Sequence, residues 1–382
     1  MSAIYIHWPF CVSKCPSCDF NSHVAEKIDQ DAWMLAYSQA LAAYAEWFST
    51  REISSIFFGG GTPSLMAPKL VEKIISDISR MGKISADCEI TLEANPSSVE
   101  SKKFQEFAAA GVNRLSLGVQ SLRDDALKFF GRPHSADDAR AAISQAISCF
   151  PRVSVDLIYA RPSQKWLEWQ AELEEILAFN LSHISLYQLT IERGTAFFAA
   201  FKKGMFKEMP ADLAADFYAK TVEFIEAAGF SFYEVSNASR PLQESRHNLA
   251  YWNYAEYLGI GPGAHSRIIE NKKRFSLMHW YAPERWCVAA QSKNIAAMEQ
   301  KREEISAAEQ KEEALLMGLR LRDGIKNSRW QELFSNSLAE DFPIVRTQKF
   351  IDAELLQFDQ NCMRATEKGR MVLNELILQL LA

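Results

Sequence analysis

The apolar run Ala3-Ile-Tyr-Ile-His7 leads, after three residues, into Cys11-Val-Ser-Lys-Cys15-Pro-Ser-Cys18. The run predicts a first strand, and the loop after it carries three of the seven cysteines of the chain. Soft sulfur ligands favour an iron–sulfur cluster or zinc, and three ligands on a four-iron cluster leave one iron open to a substrate. A zinc site would take His7 or His23 as its fourth ligand. A third interpretation leaves the cysteines unligated.

Strand-like and helix-like patterns alternate up to about residue 235. Apolar alternation predicts strands at 55–58, 88–93, 115–119, 153–157, 183–189 and 230–235, and steps of three and four predict helices at 34–48, 70–81, 99–109, 136–149, 166–179 and 212–228. Such strand–helix units predict an α/β fold with a parallel sheet and right-handed crossovers. Their number suits a complete or partial barrel, in which functional residues lie at the carboxyl ends of the strands. The cysteines, Gly60, Glu93, Gln120 and Asp156 all follow or end strands.

The pattern changes after residue 235, and we divide the chain at 1–235, 236–298 and 299–382. Glycine and aromatic residues concentrate in 251–265, which predicts a loop-rich insert. Residues 299–313 are dense in charge and predict a solvated helix or a linker. Helix-like patterns at 315–322 and 371–381 predict a small, mostly helical or winged-helix C-terminal domain.

Composition excludes several classes of protein. Of 382 residues, 48% are hydrophobic and 24% charged, as in soluble globular proteins. No run approaches the roughly 20 apolar residues of a membrane-spanning helix. A net charge of −6 argues against a broad nucleic-acid-binding face. An odd number of cysteines in a long chain does not suit a disulfide framework, and the first residues lack a signal-peptide pattern, so we expect a cytoplasmic protein.

Several motifs add to the cysteine loop, and together they cover about residues 3–267. They are Tyr5-Ile-His-Trp-Pro-Phe-Cys11, Cys15-Pro-Ser-Cys18-Asp-Phe-Asn-Ser-His23, Gly59-Gly-Gly-Thr-Pro-Ser64, Glu93-Ala-Asn-Pro96, Gly118-Val-Gln-Ser121, Asp156-Leu-Ile-Tyr159 and His247-Asn-Leu-Ala-Tyr-Trp252. The combination resembles the radical S-adenosylmethionine (SAM) superfamily and, within it, the oxygen-independent coproporphyrinogen III oxidase family. It is most similar to the heme chaperone branch, because Phe20 stands where the oxidases carry a further cysteine and the His-Asn-x-x-Tyr-Trp motif marks the chaperones.

This resemblance implies a partial (β/α)6-type radical SAM barrel with one [4Fe–4S] cluster on Cys11, Cys15 and Cys18. SAM would bind the fourth iron through its amino and carboxylate groups. Arginine can pair with that carboxylate, and Asp, Glu or Gln can bond the amino and ribose groups. Read alone, each such residue could equally form a salt bridge or cap, and 59–62 could be only a tight turn. The resemblance assigns SAM contacts to Tyr5, Gly60, Gly61, Thr62, Glu93, Gln120, Arg132 and Asp156.

Two positions depart from the family pattern. The residue before the third cysteine is usually aromatic and packs on the adenine, but here it is Ser17. The loss of a stacking surface worth about 1 kcal/mol would weaken SAM binding. After Tyr159 the family usually continues Gly-Leu-Pro, whereas this chain has Ala160-Arg161-Pro162.

The second motif-rich segment suggests a heme site, because imidazole is a common ligand of heme iron and flat aromatic side chains can face a porphyrin. His247 is the candidate ligand, and His265, His279 and Cys287 are its rivals. A purely structural role for His247, hydrogen-bonded within an aromatic core, is the alternative. Basic residues that could attract heme propionates, or simply line a solvated loop, are Arg240, Arg246, Arg267, Lys272, Lys273 and Arg274.

The resemblance therefore predicts a heme chaperone that binds heme and delivers it to acceptor proteins, with respiratory proteins as the expected recipients. The alternative is an oxygen-independent coproporphyrinogen III oxidase, in which a 5′-deoxyadenosyl radical starts oxidative decarboxylation. Phe20 argues against that activity, and SAM cleavage as such stays open. A zinc-stabilised binding module is a third class. We expect no nucleic-acid partner, membrane contact only through acceptors, and a monomer or weak dimer.

Overall fold

The computed structural model describes residues 2–381 and places most strands in one twelve-stranded mixed sheet. The strands are β1 (Ser2–Trp8), β2 (Phe10–Cys11), β3 (His23–Val24), β4 (Glu52–Gly60), β5 (Lys83–Ala94), β6 (Arg114–Gln120), β7 (Arg152–Tyr159), β8 (His183–Gln188), β9 (Ser231–Phe232), β10 (Asn237–Ser239), β11 (Glu256–Ile260), β12 (His265–Glu270), β13 (Lys273–His279), β14 (Glu299–Glu304), β15 (Ile325–Lys326), β16 (Leu356–Phe358) and β17 (Cys362–Ala365). In space the large sheet runs β14-β13-β12-β11-β1-β4-β5-β6-β7-β8-β10-β9.

Helices connect most of these strands. They are α1 (Gln30–Ala43), α2 (Ala45–Ser49), α3 (Pro68–Met81), α4 (Ser98–Ser101), α5 (Phe104–Ala109), α6 (Asp124–Phe129), α7 (Ala136–Cys149), α8 (Trp166–Leu177), α9 (Ala196–Lys202), α10 (Ala211–Ala227), α11 (Arg246–Trp252), α12 (Pro283–Gln291), α13 (Ile295–Met298), α14 (Ala307–Gly318), α15 (Asn327–Phe334), α16 (Leu338–Asp341), α17 (Ile344–Asp352), α18 (Glu367–Arg370) and α19 (Leu373–Leu381). A 3₁₀ turn at Pro63–Leu65 follows β4.

Six strands that follow one another along the chain, β1 and β4–β8, lie side by side and are parallel. A parallel sheet needs apolar cover on both faces, and most apolar residues of these strands are buried. The predicted α/β class with a parallel sheet is confirmed. Of the further strand predicted at 230–235 only Ser231–Phe232 forms, as β9, and it pairs antiparallel with β10. The sheet of the described residues is open, with β14 and β9 at its two edges.

The segment that was predicted to be loop-rich also contributes to this sheet. Strand β11 lies parallel to β1 on the side opposite β4, with Ile6 opposite Ile260. Strands β12, β13 and β14 then extend the sheet as antiparallel neighbours. This arrangement carries residues 261–265 to the same edge of the sheet as the cysteine loop.

The charge-dense segment was wrongly predicted as a solvated helix or linker over its first six residues. These residues form the edge strand β14, and helix α14 begins only at Ala307. Cross-strand ion pairs join Glu304 to Lys273 and Arg302 to Glu270. Charged side chains are common on exposed edge strands, where they discourage pairing with other chains, and in sequence they look like a solvated helix.

The C-terminal region has its own core around the buried Trp330. It is mostly helical, as predicted, and contains the small antiparallel sheet β15-β17-β16. Among residues 2–381 no helix is both long and apolar enough to cross a membrane.

Candidate functional site

The cysteine loop, residues 11–24, is closed at its base by the short parallel pair of β2 and β3. Cys11 lies opposite Val24, and the His23 amide donates to the Pro9 carbonyl at 2.7 Å. Within the loop the Cys18 amide donates to the Cys15 carbonyl at 3.1 Å. The three thiols are free and half-buried. The strand pairing therefore fixes both ends of the loop that carries them.

The three thiols share one electrostatic environment. Burial raises the pKa of the Cys11 thiol, and the nearby Cys18 and Cys15 raise it further. The Thr62 hydroxyl donates to Cys11 Sγ at 3.3 Å, and Cys18 Sγ lies 3.4 Å from Ser22 Oγ. Among the described residues no three His, Cys, Asp or Glu side chains are arranged to hold a single metal ion. A four-iron cluster takes each thiolate on a different iron, and this all-sulfur donor set fits such a cluster.

His7 is not free to act as the fourth ligand of a zinc site. Its Nε2 donates to the Asn21 carbonyl at 2.9 Å, so its Nδ1 accepts from the Tyr5 hydroxyl at 3.1 Å. Burial is the main cause that lowers the pKa of His7 to about 4. The ring of His23 faces Asn21 as well, with its Nε2 3.0 Å from Asn21 Oδ1. A zinc site would have to break these contacts.

The backbone amides of the glycine segment at the end of β4 donate hydrogen bonds to other groups of the protein. Gly60 N–H donates to Glu93 at 3.2 Å, Gly61 N–H to the Trp8 carbonyl at 2.7 Å and Thr62 N–H to the Phe10 carbonyl at 2.8 Å. Gly60 has a φ of +111°, and a Cβ there would lie 2.5 Å from the His7 ring. These three N–H groups are therefore bonded within the protein. The amides hold the segment against the strand that leads into the cysteine loop.

Two carboxyl groups interact here, Glu93 near the carboxyl end of β5 and Asp156 midway along β7. Burial raises the pKa of Glu93 to about 8, with a further contribution from Asp156. Burial also raises the pKa of Asp156, although the Ser116 hydroxyl donates to its carboxylate at 3.3 Å. Neither group forms an ion pair with another residue in 2–381. Buried carboxyl groups of this kind are suited to accept bonds from an ammonium or from hydroxyl groups of a ligand.

Arg132 reaches the same edge through a chain of hydrogen bonds. Its Nη1 donates to Asn95 Oδ1 at 3.4 Å, Asn95 Nδ2 donates to Thr62 Oγ1 at 3.3 Å, and Thr62 in turn bonds Cys11. Arg132 Nε is buried and has no hydrogen-bond partner among the described residues. A buried, unpaired guanidinium nitrogen beside the cysteine loop fits an anionic ligand group such as the SAM carboxylate.

Gln120 ends β6 in a left-handed conformation, with a φ of +67°. The pairing of β6 with β7 is irregular between Leu117 and Gln120. A Cβ at position 118 would lie 3.0 Å from Gln120 Nε2, so Gly118 leaves room for this amide. A strained conformation at a strand end is typical of functional sites.

A cavity of about 380 Å³ joins the cofactor edge, meaning the carboxyl ends of β1 and β4–β7, to the aromatic segment 247–281. We call it the junction cavity. Phe20 is 62% exposed at its rim, where the oxidases of the family carry a further cysteine. The cavity is lined by Tyr5, His7, Asp19, Phe20, Asn21, Gly60, Glu93, Tyr251, Tyr257, Gly263, His265 and Tyr281.

Asn21 ties the cysteine loop to the far wall of this cavity. Its Nδ2 donates to the carbonyls of Pro262 and Tyr281, both at 3.0 Å. A Cβ at Gly263 would lie 2.6 Å from that nitrogen, so only glycine permits the approach. The two regions are more than 240 residues apart in sequence, and Asn21 holds them together directly.

The candidate heme ligand His247 is sealed in the protein interior. It is 2% exposed, its Nδ1 lies 3.0 Å from Ser55 Oγ, and its Nε2 lies 3.0 Å from the Tyr251 hydroxyl. Its ring stacks on Phe57 at 4.8 Å, and burial lowers its pKa to about 3. Both ring nitrogens are occupied, and Tyr251 stands between His247 and the junction cavity.

The other candidate heme ligands differ in whether they line the junction cavity. His279 is fully buried, with its Nε2 3.1 Å from the Tyr44 hydroxyl and its Nδ1 accepting from Trp286 at 3.1 Å. Cys287 lies on α12 and is not among the residues that line the cavity. His265 is exposed and lines the cavity.

The basic zone does not form one patch facing this cavity. Arg246 pairs with Asp87, Arg267 with Glu313 and Lys273 with Glu304. Arg274 is buried over the Tyr254 ring. These contacts support the structural alternative for the zone.

Asn21 and Asn95 lie within the sequence motifs, but the sequence alone predicted no role for either residue. Asn21 follows the third cysteine by three residues, and Asn95 follows Glu93 by two. Their positions beside candidate site residues were the available signal. What they bond could be seen only in the folded chain.

Comparisons with known proteins agree with this architecture. The radical SAM superfamily pattern matches residues 5–176, and the HemN C-terminal domain pattern matches residues 305–372. The solved structure of the Escherichia coli coproporphyrinogen III oxidase HemN, described as a radical SAM enzyme, superposes with a TM-score of 0.81 at 20% identity. The match covers 99% of this chain and 89% of HemN, and it shows the shared fold.

Curated relatives are more similar in sequence. The heme chaperone HemW of Bacillus subtilis is 30% identical, over 98% of this chain and 98% of the relative. HemW of Escherichia coli is 37% identical over 70% of each protein. The bovine mitochondrial radical S-adenosyl methionine domain-containing protein 1 is 37% identical, over 100% of this chain and 87% of the relative. The chain therefore belongs to the radical SAM superfamily, in the family that includes the heme chaperone HemW.

Proposed function

We propose that this protein is a heme chaperone that binds heme and delivers it to acceptor proteins. The observation that carries the proposal is the junction cavity, which places an aromatic wall with an accessible histidine against the cofactor edge. The family membership adds that relatives with this architecture are named heme chaperones.

The proposal includes one [4Fe–4S] cluster bound by Cys11, Cys15 and Cys18. SAM would bind its open iron and, when the cluster is reduced, could supply radical chemistry. Arg132 would pair with the SAM carboxylate through its free Nε. The remaining contacts, to the amino and ribose groups and around the methionyl end, would come from Tyr5, Gly60, Gly61, Thr62, Glu93, Gln120 and Asp156.

Heme would lie in the junction cavity, where flat aromatic side chains can cover its face. The motif makes His247 a candidate ligand. Its Nε2 would have to exchange the Tyr251 hydroxyl for iron, because that hydroxyl stands between the ring and the cavity.

The alternative function is that of a coproporphyrinogen III oxidase. The fold it requires is present, because HemN superposes over nearly the whole chain. Phe20 stands exposed at the cavity rim in place of the further cysteine. We therefore place the oxidase second, and a zinc-stabilised module third, which metal and sulfide analysis would distinguish from a cluster protein.

We propose respiratory heme proteins as acceptors, with membrane contact only through them and no nucleic-acid partner. The chain would act as a monomer or weak dimer. We propose a cytoplasmic location; the seven free thiols suit a reducing compartment, and the mitochondrial name of the bovine relative makes the mitochondrion the alternative. Fractionation of cells that produce the tagged protein would test the location.

The test of the proposed function is an anaerobic heme titration of the reconstituted protein, followed by its Soret difference spectrum. A cluster-free sample runs alongside, because the cluster absorbs in the same region. Saturation at about one heme per chain is expected. Absence of saturable binding would remove the proposal, and the coproporphyrinogen assay would then decide for or against the alternative.

A further inference from the structure

The histidines of this chain differ sharply in whether their ring nitrogens are free. Of seven histidines, four have partners on both ring nitrogens, namely His7, His183, His247 and His279. His134 is buried and bonds the Val119 carbonyl. The ring of His23 faces Asn21. For His265, the ring makes no hydrogen bond within residues 2–381.

The backbone of His265 is held firmly although its ring is free. It is the first residue of β12 and lies opposite Met278 of β13. The turn before it is fixed by the bond from Asn21 to Pro262, and the Ala264 carbonyl accepts from His279 N–H at 3.0 Å. A free imidazole on a fixed backbone is a preorganised ligand, because heme binding would have to order the side chain but not the backbone.

The other donors around the cavity are less suited to iron. Burial raises the pKa of the phenols of Tyr5, Tyr251 and Tyr257, so the phenolate form that binds iron is disfavoured. Burial lowers the pKa of His265, which keeps its imidazole in the neutral, ligating form. The carboxyl of Glu93 lies on the cofactor side of the cavity.

We propose that His265 supplies the axial nitrogen to heme iron in the junction cavity. This inference rests on the proposed function and specifies its ligand. One imidazole at an exposed position gives a heme that is bound from one side and stays accessible to an acceptor. His247 is then the structural support of Tyr251, whose hydroxyl it holds.

The experiment is an anaerobic ferric heme titration of full-length, cluster-reconstituted protein, with electron paramagnetic resonance of the bound heme. His265→Ala should weaken heme binding about tenfold or more and change the ferric signal, and added imidazole should restore the signal. His23→Gln is the matched control, because it removes the other exposed histidine of the described residues while its side-chain amide can keep the bond to Asn21 Oδ1. It should leave both readings unchanged.

Each outcome decides the inference. If wild-type protein binds heme and His265→Ala keeps the same affinity and signal, His265 is not the ligand and the proposed function stands. Loss of binding in His247→Gln, with His265→Ala unaffected, would assign the ligand to His247. If wild-type protein binds no heme, the proposed function falls and this inference falls with it.

Discussion

The candidate SAM-binding residues of the cofactor edge and the buried histidines of the aromatic segment 247–281 differ in how far their polar groups are satisfied. At the cofactor edge, Arg132 Nε is buried without a partner, and Glu93 and Asp156 are half-buried without an ion pair among residues 2–381. In the aromatic segment, His247 and His279 have all their ring nitrogens bonded. Buried polar groups are normally satisfied, so the free Arg132 Nε supports the proposed SAM site at the edge. His265 differs from the two buried histidines because its ring is exposed and unbonded among residues 2–381.

The largest expected effect is at the cysteine loop. Cys15→Ser should abolish the cluster, because a serine hydroxyl does not replace a thiolate on iron. Bound iron, acid-labile sulfide and the visible absorption of the cluster should all fall to background after reconstitution. Cys149→Ser, at another half-buried cysteine far from the loop in sequence, should keep them. A full complement of iron and sulfide in the Cys15 variant would contradict the assignment.

The next largest effect is expected at Arg132, whose Nε has no hydrogen-bond partner among the described residues. Arg132→Met should weaken SAM binding by about 10- to 100-fold, the value of a charge-assisted bond of about 1.5–3 kcal/mol. Isothermal titration calorimetry under anaerobic conditions measures it. The control is Arg123→Met, which removes an arginine that pairs with Glu175. Equal SAM affinity in the two variants would mean that an unsatisfied nitrogen does not identify the ligand site.

The buried carboxyl at the cofactor edge should make stability depend on pH. The pKa of Glu93 rises from its ordinary 4.5 to about 8 on folding, so the folded protein holds the proton more tightly. The stability that Glu93 contributes in this way to the folded protein is fully present below pH 4.5 and is lost as the pH rises to about 8. Because the Glu93 side chain is partly exposed, this contribution is on the order of 1–2 kcal/mol.

Urea unfolding of cofactor-free protein at pH 5 and pH 8 tests this dependence. Glu93→Gln stays neutral at both pH values, so it should remove that part of the loss in the free energy of unfolding. Glu106→Gln, at an exposed carboxylate of α5, should keep it. The same pH dependence in both variants would show that Glu93 is not buried as a neutral acid.

The smallest effect concerns the link between the two regions. Asn21→Asp removes both donors to Pro262 and Tyr281 and places an anion against their carbonyls. Heme affinity should fall about three- to tenfold, while SAM affinity stays unchanged. Asn253→Asp, at an exposed asparagine of the aromatic segment, is the control. Equal heme affinity in both variants would show that the wall of the cavity does not depend on the cysteine loop.

Periodicity predicted the six parallel strands and the helices between them because alternation and helical spacing reflect burial, which the sheet imposes on every strand. The same logic failed at β14, where an edge strand exposes its charged residues. Sequence also placed Glu93 and Gln120 at strand ends, whereas Asp156, predicted at a strand end, lies midway along β7. It could not show that the amides of Gly60 and Gly61 are used internally.

The histidines show the other limit of sequence reasoning. His247 stands in the motif and among aromatic residues, but its partners Ser55 and Tyr251 come from β4 and α11. Whether a ring nitrogen is free depends on such contacts between distant segments. The distinction between His247 and His265 therefore needed the folded structure.

The central claim, that the protein carries heme rather than converts a porphyrin precursor, is tested most directly by a transfer experiment. Heme-loaded protein with its cluster and SAM is mixed anaerobically with a heme-free respiratory cytochrome, and a parallel sample receives coproporphyrinogen III and a reductant. The account predicts that the cytochrome spectrum develops as the Soret signal of the donor declines, without release of CO₂ in the parallel sample. SAM-dependent release of CO₂ with no heme transfer would contradict it.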